Sequence, residues 1–128
     1  MARYDIEKDF VVLDPGKNAT VVRYSPDLYE KLDKDFGDFI GHELISCFEF
    51  SSDWPSWEIH PHGDEVVVLL AGSAVMLLDK GGAVEEVVLS RAGEYVVVPK
   101  ETWHTAHVAK SAKLLFVTPG QDTQNKYL

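Results

Sequence analysis

Between positions 58 and 65 the chain sets five residues able to bind or polarise: Glu58, His60, His62, Asp64 and Glu65. Imidazole nitrogens and carboxylate oxygens are ligands of divalent zinc, iron, nickel and manganese. On an extended chain, residues two apart share a face. Glu58, His60 and His62 can therefore point into one cavity, and Glu65 can face the same interior at the start of the following apolar run. Pro61 falls on the opposite face and cannot donate to a strand ladder, so the strand frays or ends there. Gly63-Asp64 then turns the chain. A reactive metal centre needs three or four protein ligands and an open position. His104, which follows another apolar run and Pro99, is the natural further ligand. Spacing leaves the face of His107 undecided, and His42 belongs to an earlier strand.

The elements that must carry these side chains are nearly all β. Segments 42–50, 57–60, 65–70, 74–79, 84–89, 95–98, 105–108 and 113–118 are rich in valine, leucine, isoleucine and aromatics, and read as successive strands. Glycines and Pro99 punctuate them, and Lys80-Gly81-Gly82-Ala83 reads as a hairpin turn. Many short strands at this spacing imply a sandwich or small barrel, which can enclose one small ligand. The first forty residues differ. An apolar stretch at 10–13 is closed by Asp14-Pro15-Gly16, and 20–24 alternates weakly. Ser25-Pro26 then reads as a helix start, with serine as cap and proline at the first helical position. Leu28, Leu32 and Phe36, with Tyr29 beside them, form one helical face that Gly37 ends. The expected organisation is one structural domain, with residues 1–40 a strand-and-helix extension packed on a barrel of residues 41–128. The polar tail, 121–128, reads as mobile or as packing on a partner.

A chain of 128 residues fits a single domain with its own core. Twelve basic against twenty-one acidic residues leave a net charge of −9, which repels phosphate backbones and argues against a nucleic-acid partner. The one cysteine, Cys47, cannot form an internal disulfide and lies in an apolar run, as a small core residue would. The N-terminus lacks a signal-peptide pattern, and no apolar run is long enough to span a bilayer. A cytoplasmic protein with no membrane partner is the expectation.

The segments 57–72 and 93–104 resemble the two motifs of the cupin superfamily. Glu65, six residues and Gly72 fit the second half of the first motif; Gly93, five residues, Pro99 and then His104 fit the second. Two registers are open for the paired histidines of the first motif. Counting back from Glu65 puts them on Glu58 and His60; the alternative is His60 and His62 with a shortened gap. The intact spacing to Gly72, and Pro61, favour the first. Glu101 stands where the second motif has glycine, and Val108 where it has asparagine. The resemblance covers roughly residues 41–118 and implies a cupin-type jelly-roll barrel with one short N-terminal helix.

By that resemblance, Glu58, His60, His62, Glu65 and His104 are candidate ligands of one divalent ion (Zn, Fe, Ni or Mn). Trp54, Trp57 and Trp103 are candidates to line a substrate pocket, and Tyr95 and Glu101 to supply acid–base groups. The implied activity is that of a metal-dependent oxygenase, isomerase or lyase acting on a small polar organic molecule. The alternatives are a metal-free barrel that binds or senses a small ligand, and a domain that only binds a partner. A homodimer is expected.

Overall fold

The computed structural model describes residues 2–128. Their strands, in chain order, are β1 (Asp9–Leu13), β2 (Ala19–Arg23), β3 (Glu43–Phe50), β4 (Ser56–Ile59), β5 (Glu65–Gly72), β6 (Ala74–Asp79), β7 (Val84–Leu89), β8 (Tyr95–Val98), β9 (His104–His107), β10 (Ala112–Thr118) and β11 (Gln124–Tyr127). One helix, α1 (Leu28–Asp35), and one short turn of 3-10 type, Gly37–Phe39, lie between β2 and β3. Among the described residues no helix is long and apolar enough to cross a membrane.

Two antiparallel sheets form. One has the order β2-β1-β3-β10-β5-β8, the other β11-β4-β9-β6-β7. Period-two patterning decides what faces inward. On β5, Glu65, Val67 and Leu69 are buried, while Val66, Val68 and Leu70 turn away. Val96 and Val98 of β8, Met76 and Leu78 of β6 and Leu114 and Phe116 of β10 complete the same core with Leu69 and Trp54. This is a jelly-roll sandwich, because from β3 onward successive strands alternate between the sheets, apart from the β6–β7 hairpin, and close over one apolar interior. The Lys80 amide donates to the Ala83 carbonyl at 2.8 Å, closing the β6–β7 hairpin at its two glycines.

The N-terminal segment is continuous with the barrel. Strand β1 pairs with β3, placing Val12 opposite Leu44 and extending the first sheet. Leu28 and Leu32 of α1 then pack with Phe10, Val12, Phe39 and Leu44 in a second core cluster. The helix starts later than Ser25-Pro26 suggests. A turn comes first, with the Leu28 amide donating to the Ser25 carbonyl at 3.0 Å. The Ser25 hydroxyl donates to the Asp27 carboxylate at 2.8 Å, and serine lies two residues before the cap position, so it does not cap the helix. Asp27 occupies the cap position without a side-chain cap bond. After the helix, Gly37, Asp38 and Phe39 all have φ near +60°, a left-handed run that only glycine adopts without strain.

The tail differs most from expectation. Residues 124–127 form β11 on the outer edge of β4, with Asn125 opposite Glu58. All four side chains are exposed, so main-chain hydrogen bonds hold the strand and no apolar alternation announces it in the sequence.

Gly72 shows where the backbone needs glycine. Its φ is +77°, and a Cβ there would stand 2.1 Å from the Ser111 carbonyl oxygen, a backbone atom that cannot step aside. Gly72→Ala is expected to cost about 3 kcal/mol or more, read as a lowered urea midpoint at unchanged slope. A wild-type midpoint would show that the β5–β6 corner does not approach Ser111.

Candidate metal centre

Strand β4 and the residue after it bring Glu58 and His60 to one face of the second sheet. Glu58 stands directly opposite His104, the first residue of the neighbouring β9. From the facing sheet, β5 supplies Glu65. Residues from two distant segments of the chain thus meet inside the sandwich. His104 is fully buried, His60 and Glu65 are nearly so, and Glu58 keeps one side towards solvent. The ring centres of His60 and His104 lie 5.2 Å apart.

The hydrogen bonds fix both imidazoles in one tautomer. The Thr123 hydroxyl donates to the Gly120 carbonyl at 2.9 Å, so its oxygen accepts from Nδ1–H of His60 at 2.8 Å. Nδ1–H of His104 donates to the Thr102 carbonyl at 3.1 Å. Each ring therefore presents Nε2 inward as a free lone pair when neutral. Glu65 receives the Thr118 hydroxyl on Oε2 at 2.5 Å. Its carboxylate then faces His104 Nε2 at 3.0 Å and His60 Nε2 at 3.3 Å, and Glu58 approaches His60 Nε2 at 3.8 Å.

Those short approaches are not aligned as hydrogen bonds. His60 Nε2, His104 Nε2 and Glu65 Oε1 are all buried without a hydrogen-bond partner. Two imidazole nitrogens and two carboxylates converging in a buried space call for positive charge between them, a metal ion or a proton. Ligand atoms at about 2.0–2.2 Å from one ion stand roughly 3–4 Å from each other, which is the spacing of Glu65 with both imidazoles and of Glu58 with His60. Glu58, His60 and His104 also offer ligand atoms that all lie within 4.8 Å of one another. The donor set fits a divalent ion.

The charges respond to the same geometry. Burial alone would raise the Glu65 carboxyl, but the imidazoles of His104 and His60 beside it outweigh burial and lower it to about 2. Burial works against a charged His104, yet Glu65 overrides it and raises the imidazole above its ordinary value. Glu58 is pushed up, first by burial and then by Glu65, with the two imidazoles pulling the other way.

Other candidates stand elsewhere. His62 does not join the group: it is half-exposed and contacts the Asp122 carboxylate at 2.8 Å, because the turn after Pro61 takes it off the strand face. Trp54 lines the cleft beside the site, with its ring 6.3 Å from that of His104. Trp57 and Trp103 are outside the cleft lining, and Trp103 is covered by the Lys126 ammonium at 4.4 Å. Tyr95 points outward from β8 and is 62% exposed, so it reaches no buried chemistry. Glu101 is exposed as well; its φ is +61°, the left-handed geometry that glycine takes at this motif position, and its amide donates to the His60 carbonyl at 3.1 Å. Its part is to hold the loop against the ligand strand. Thr118 and Thr123 are the functional residues that spacing does not reveal. Neither hydroxyl belongs to a recognisable motif, and Thr123 sits in the tail.

The cleft that opens onto this cluster has a volume of about 1100 Å³. Its walls come from α1, the left-handed turn, β3, β4, β10 and the tail.

The metal-free protein should show a defined pH window. Glu65, lowered from 4.5 to about 2, stabilises fully above pH 4.5 and less as pH falls towards 2. His104, raised from 6.5, stabilises fully below pH 6.5 and less as pH rises through its folded value. Chelator-treated protein is thus expected to melt highest between pH 4.5 and 6.5. The alkaline decline should vanish when a divalent ion is supplied, since the ion replaces the lost proton. An identical alkaline limb with and without the ion would contradict this.

No protein-family model and no curated protein matches the sequence. Solved structures do. The chain is similar to a cupin-2 domain containing protein from Shewanella frigidimarina, at 21% identity and TM-score 0.51, over 60% of this chain and 70% of that one. It is similar to an oxalate oxidase at 19% identity and TM-score 0.53, over 63% of this chain and 44% of the other. It is also similar to hydroxypropylphosphonic acid epoxidase from S. wedmorenis at 24% identity and TM-score 0.50, over 59% and 42%. The chain spans less than half the length of either enzyme, and at these identities the likeness is one of fold.

Proposed function

We propose that this chain, a domain with the cupin fold, is a mononuclear metal enzyme acting on a small organic molecule in its cleft. The observation that carries the reading is the set of three buried, unpartnered atoms, His60 Nε2, His104 Nε2 and Glu65 Oε1. Glu58, His60, Glu65 and His104 would hold the ion. A divalent ion in such a site supplies Lewis acidity or, if iron, dioxygen chemistry of the oxygenase type; isomerase and lyase reactions use the same polarisation.

The chain's own residues do the rest. Thr123 and Thr102 hold the imidazoles with Nε2 inward, and Thr118 steadies Glu65. Glu58 is the ligand candidate nearest solvent. Where Glu58 is left off the ion, its carboxyl, raised by burial and by Glu65, is the group suited to take or return a proton at the cleft floor. Phe116 and Trp54 exclude water from the inner end.

The experiment is elemental analysis of untagged protein supplied with zinc, iron, nickel and manganese separately. About one ion per chain is expected for at least one metal, and His104→Ala should abolish it. Thr123→Val should keep the fold and weaken binding about tenfold or more, since removing a partner that orients a ligand costs that much. Protein that takes up none of the four ions would overturn the reading.

A second reading has its own support. The contact of His104 Nε2 with Glu65 Oε1 at 3.0 Å can also be held by a proton, as the raised imidazole indicates. That state would make the domain a metal-free barrel that binds or senses a small ligand. Ligand binding that survives a chelator unchanged would favour it.

Pairing of two copies belongs to the same proposal. Val66, Val68 and Leu70 of β5 and Tyr95 and Val97 of β8 form an apolar outward face, with Val97 opposite Val66 and Tyr95 opposite Val68. A chain of charge −9 repels its own copy over most of its surface, whereas this face carries no charge and can meet itself about a two-fold axis. Sedimentation is expected to show a dimer that Tyr95→Glu with Val97→Glu converts to a monomer. A monomeric wild type at micromolar concentration removes the pairing.

A further inference from the structure

The cleft has a pronounced sign of charge. Asp33 of α1 and Asp38 of the left-handed turn lie on its lining, and neither has an ion-pair partner among the described residues. Asp53 and Asp122 lie there too, the first accepting the Val108 amide, the second facing His62. Deeper in are Glu58 and Glu65. Among the described residues no lysine or arginine lines the cleft, and His60 is the one basic side chain on it. A divalent ion at the candidate centre offsets two of these six carboxylates and leaves the rest. Low-dielectric walls focus such a field on whatever enters.

The inner wall is aromatic. Phe50 and Trp54 have ring centres 5.4 Å apart, and Trp54 and Phe116 5.9 Å. Aromatic faces attract cations within about 6 Å of the ring centre and do nothing for anions. Trp54 is 7% exposed, and its indole N–H is buried without a partner. That group is a donor only, so it calls for an oxygen acceptor on the occupant.

We propose that the cleft selects an organic cation: an ammonium group on an apolar or aromatic body that also carries an oxygen acceptor for Trp54. This names the substrate class of the enzyme described above, and it rests on that reading in taking the cleft as the place where a small molecule binds. The ammonium meets the ring faces and the rim carboxylates, the body fills the aromatic wall, and the acceptor meets the indole N–H. Oxalate and hydroxypropylphosphonic acid, after which the two enzymes above are named, are anions. This lining is built against such ligands.

Three probes of equal shape decide it. Tyramine, 2-(4-hydroxyphenyl)ethanol and 3-(4-hydroxyphenyl)propionate differ in charge and share an aromatic body with a hydroxyl. Each is titrated calorimetrically into metal-loaded and chelator-treated protein at low and high salt. Tyramine is expected to bind about tenfold tighter than the alcohol and more than that over the carboxylate, with the preference shrinking in salt. Asp33→Asn with Asp38→Asn should reduce the tyramine preference several-fold while leaving metal content unchanged. Trp54→Phe should keep the charge preference and lose affinity for all three. The proposal is overturned if the carboxylate binds as well as the amine, or if tyramine gives no saturable heat. Metal content is read separately by elemental analysis. A charge preference in protein that takes up no metal would sink the enzyme reading and leave this one standing; metal uptake with no charge preference would do the reverse.

Discussion

Three buried atoms that lack hydrogens to share set the terms for this molecule. His60 Nε2, His104 Nε2 and Glu65 Oε1 are buried close together at the inner end of the cleft. Such an arrangement is tolerable only if something positive lies between them, whether a proton or a metal ion. Everything nearby tightens that requirement. Thr123 and Thr102 remove the option of turning the rings over, because each Nδ1–H is already engaged. Thr118 holds Glu65 from the other side. The ladder that sets Glu58 opposite His104 stops the two strands from sliding apart.

The sheet architecture follows from the need to deliver those groups from opposite walls. Glu65 shares a strand face with Val67 and Leu69, so burying the core buries the carboxylate with it. His104 is buried by the same logic as Ala106, two residues on. The site is therefore an inner layer of the core in which three apolar side chains have been replaced by polar ones. Apolar contact on every other side keeps the dielectric low and the charges strongly coupled. The open side of Glu58 is the exception, and it marks where a ligand reaches the cluster.

Much of this was legible in the residues, and the reasons for what was not are physical. Strands β5, β6, β8 and β10 are short runs rich in valine, leucine and aromatics between glycines and Pro99, so their positions follow from composition and turn signals. Glu58, His60, Glu65 and His104 follow from parity and from the spacing to Gly72 and Pro99. His62 has the right type and the right parity but the wrong backbone, since parity lapses once the chain leaves the ladder at Pro61. The serine cap failed because a turn precedes the helix and puts Asp27, two residues on, at the cap position. Tyr95 shows that an ionisable group near a motif is no guide to its direction, because neighbours on a strand face opposite ways. Strand β11 was illegible because edge pairing through main-chain groups leaves no mark on side-chain type.

That last strand ties the weakest part of the fold to the strongest interaction in the site. Four exposed residues on a sheet edge have little burial to hold them, so β11 belongs to the low-stability end of the molecule. Yet Thr123, immediately before it, is what fixes the tautomer of His60. If the tail frays, His60 can exchange its inward lone pair for an N–H, and the cluster loses a ligand without any change to the core. Linkage makes the relation mutual: an ion held by His60 favours the tautomer that needs Thr123, and so favours the docked tail. Occupancy of the centre and order of the last residues are thus two readings of one equilibrium, set by a single hydroxyl.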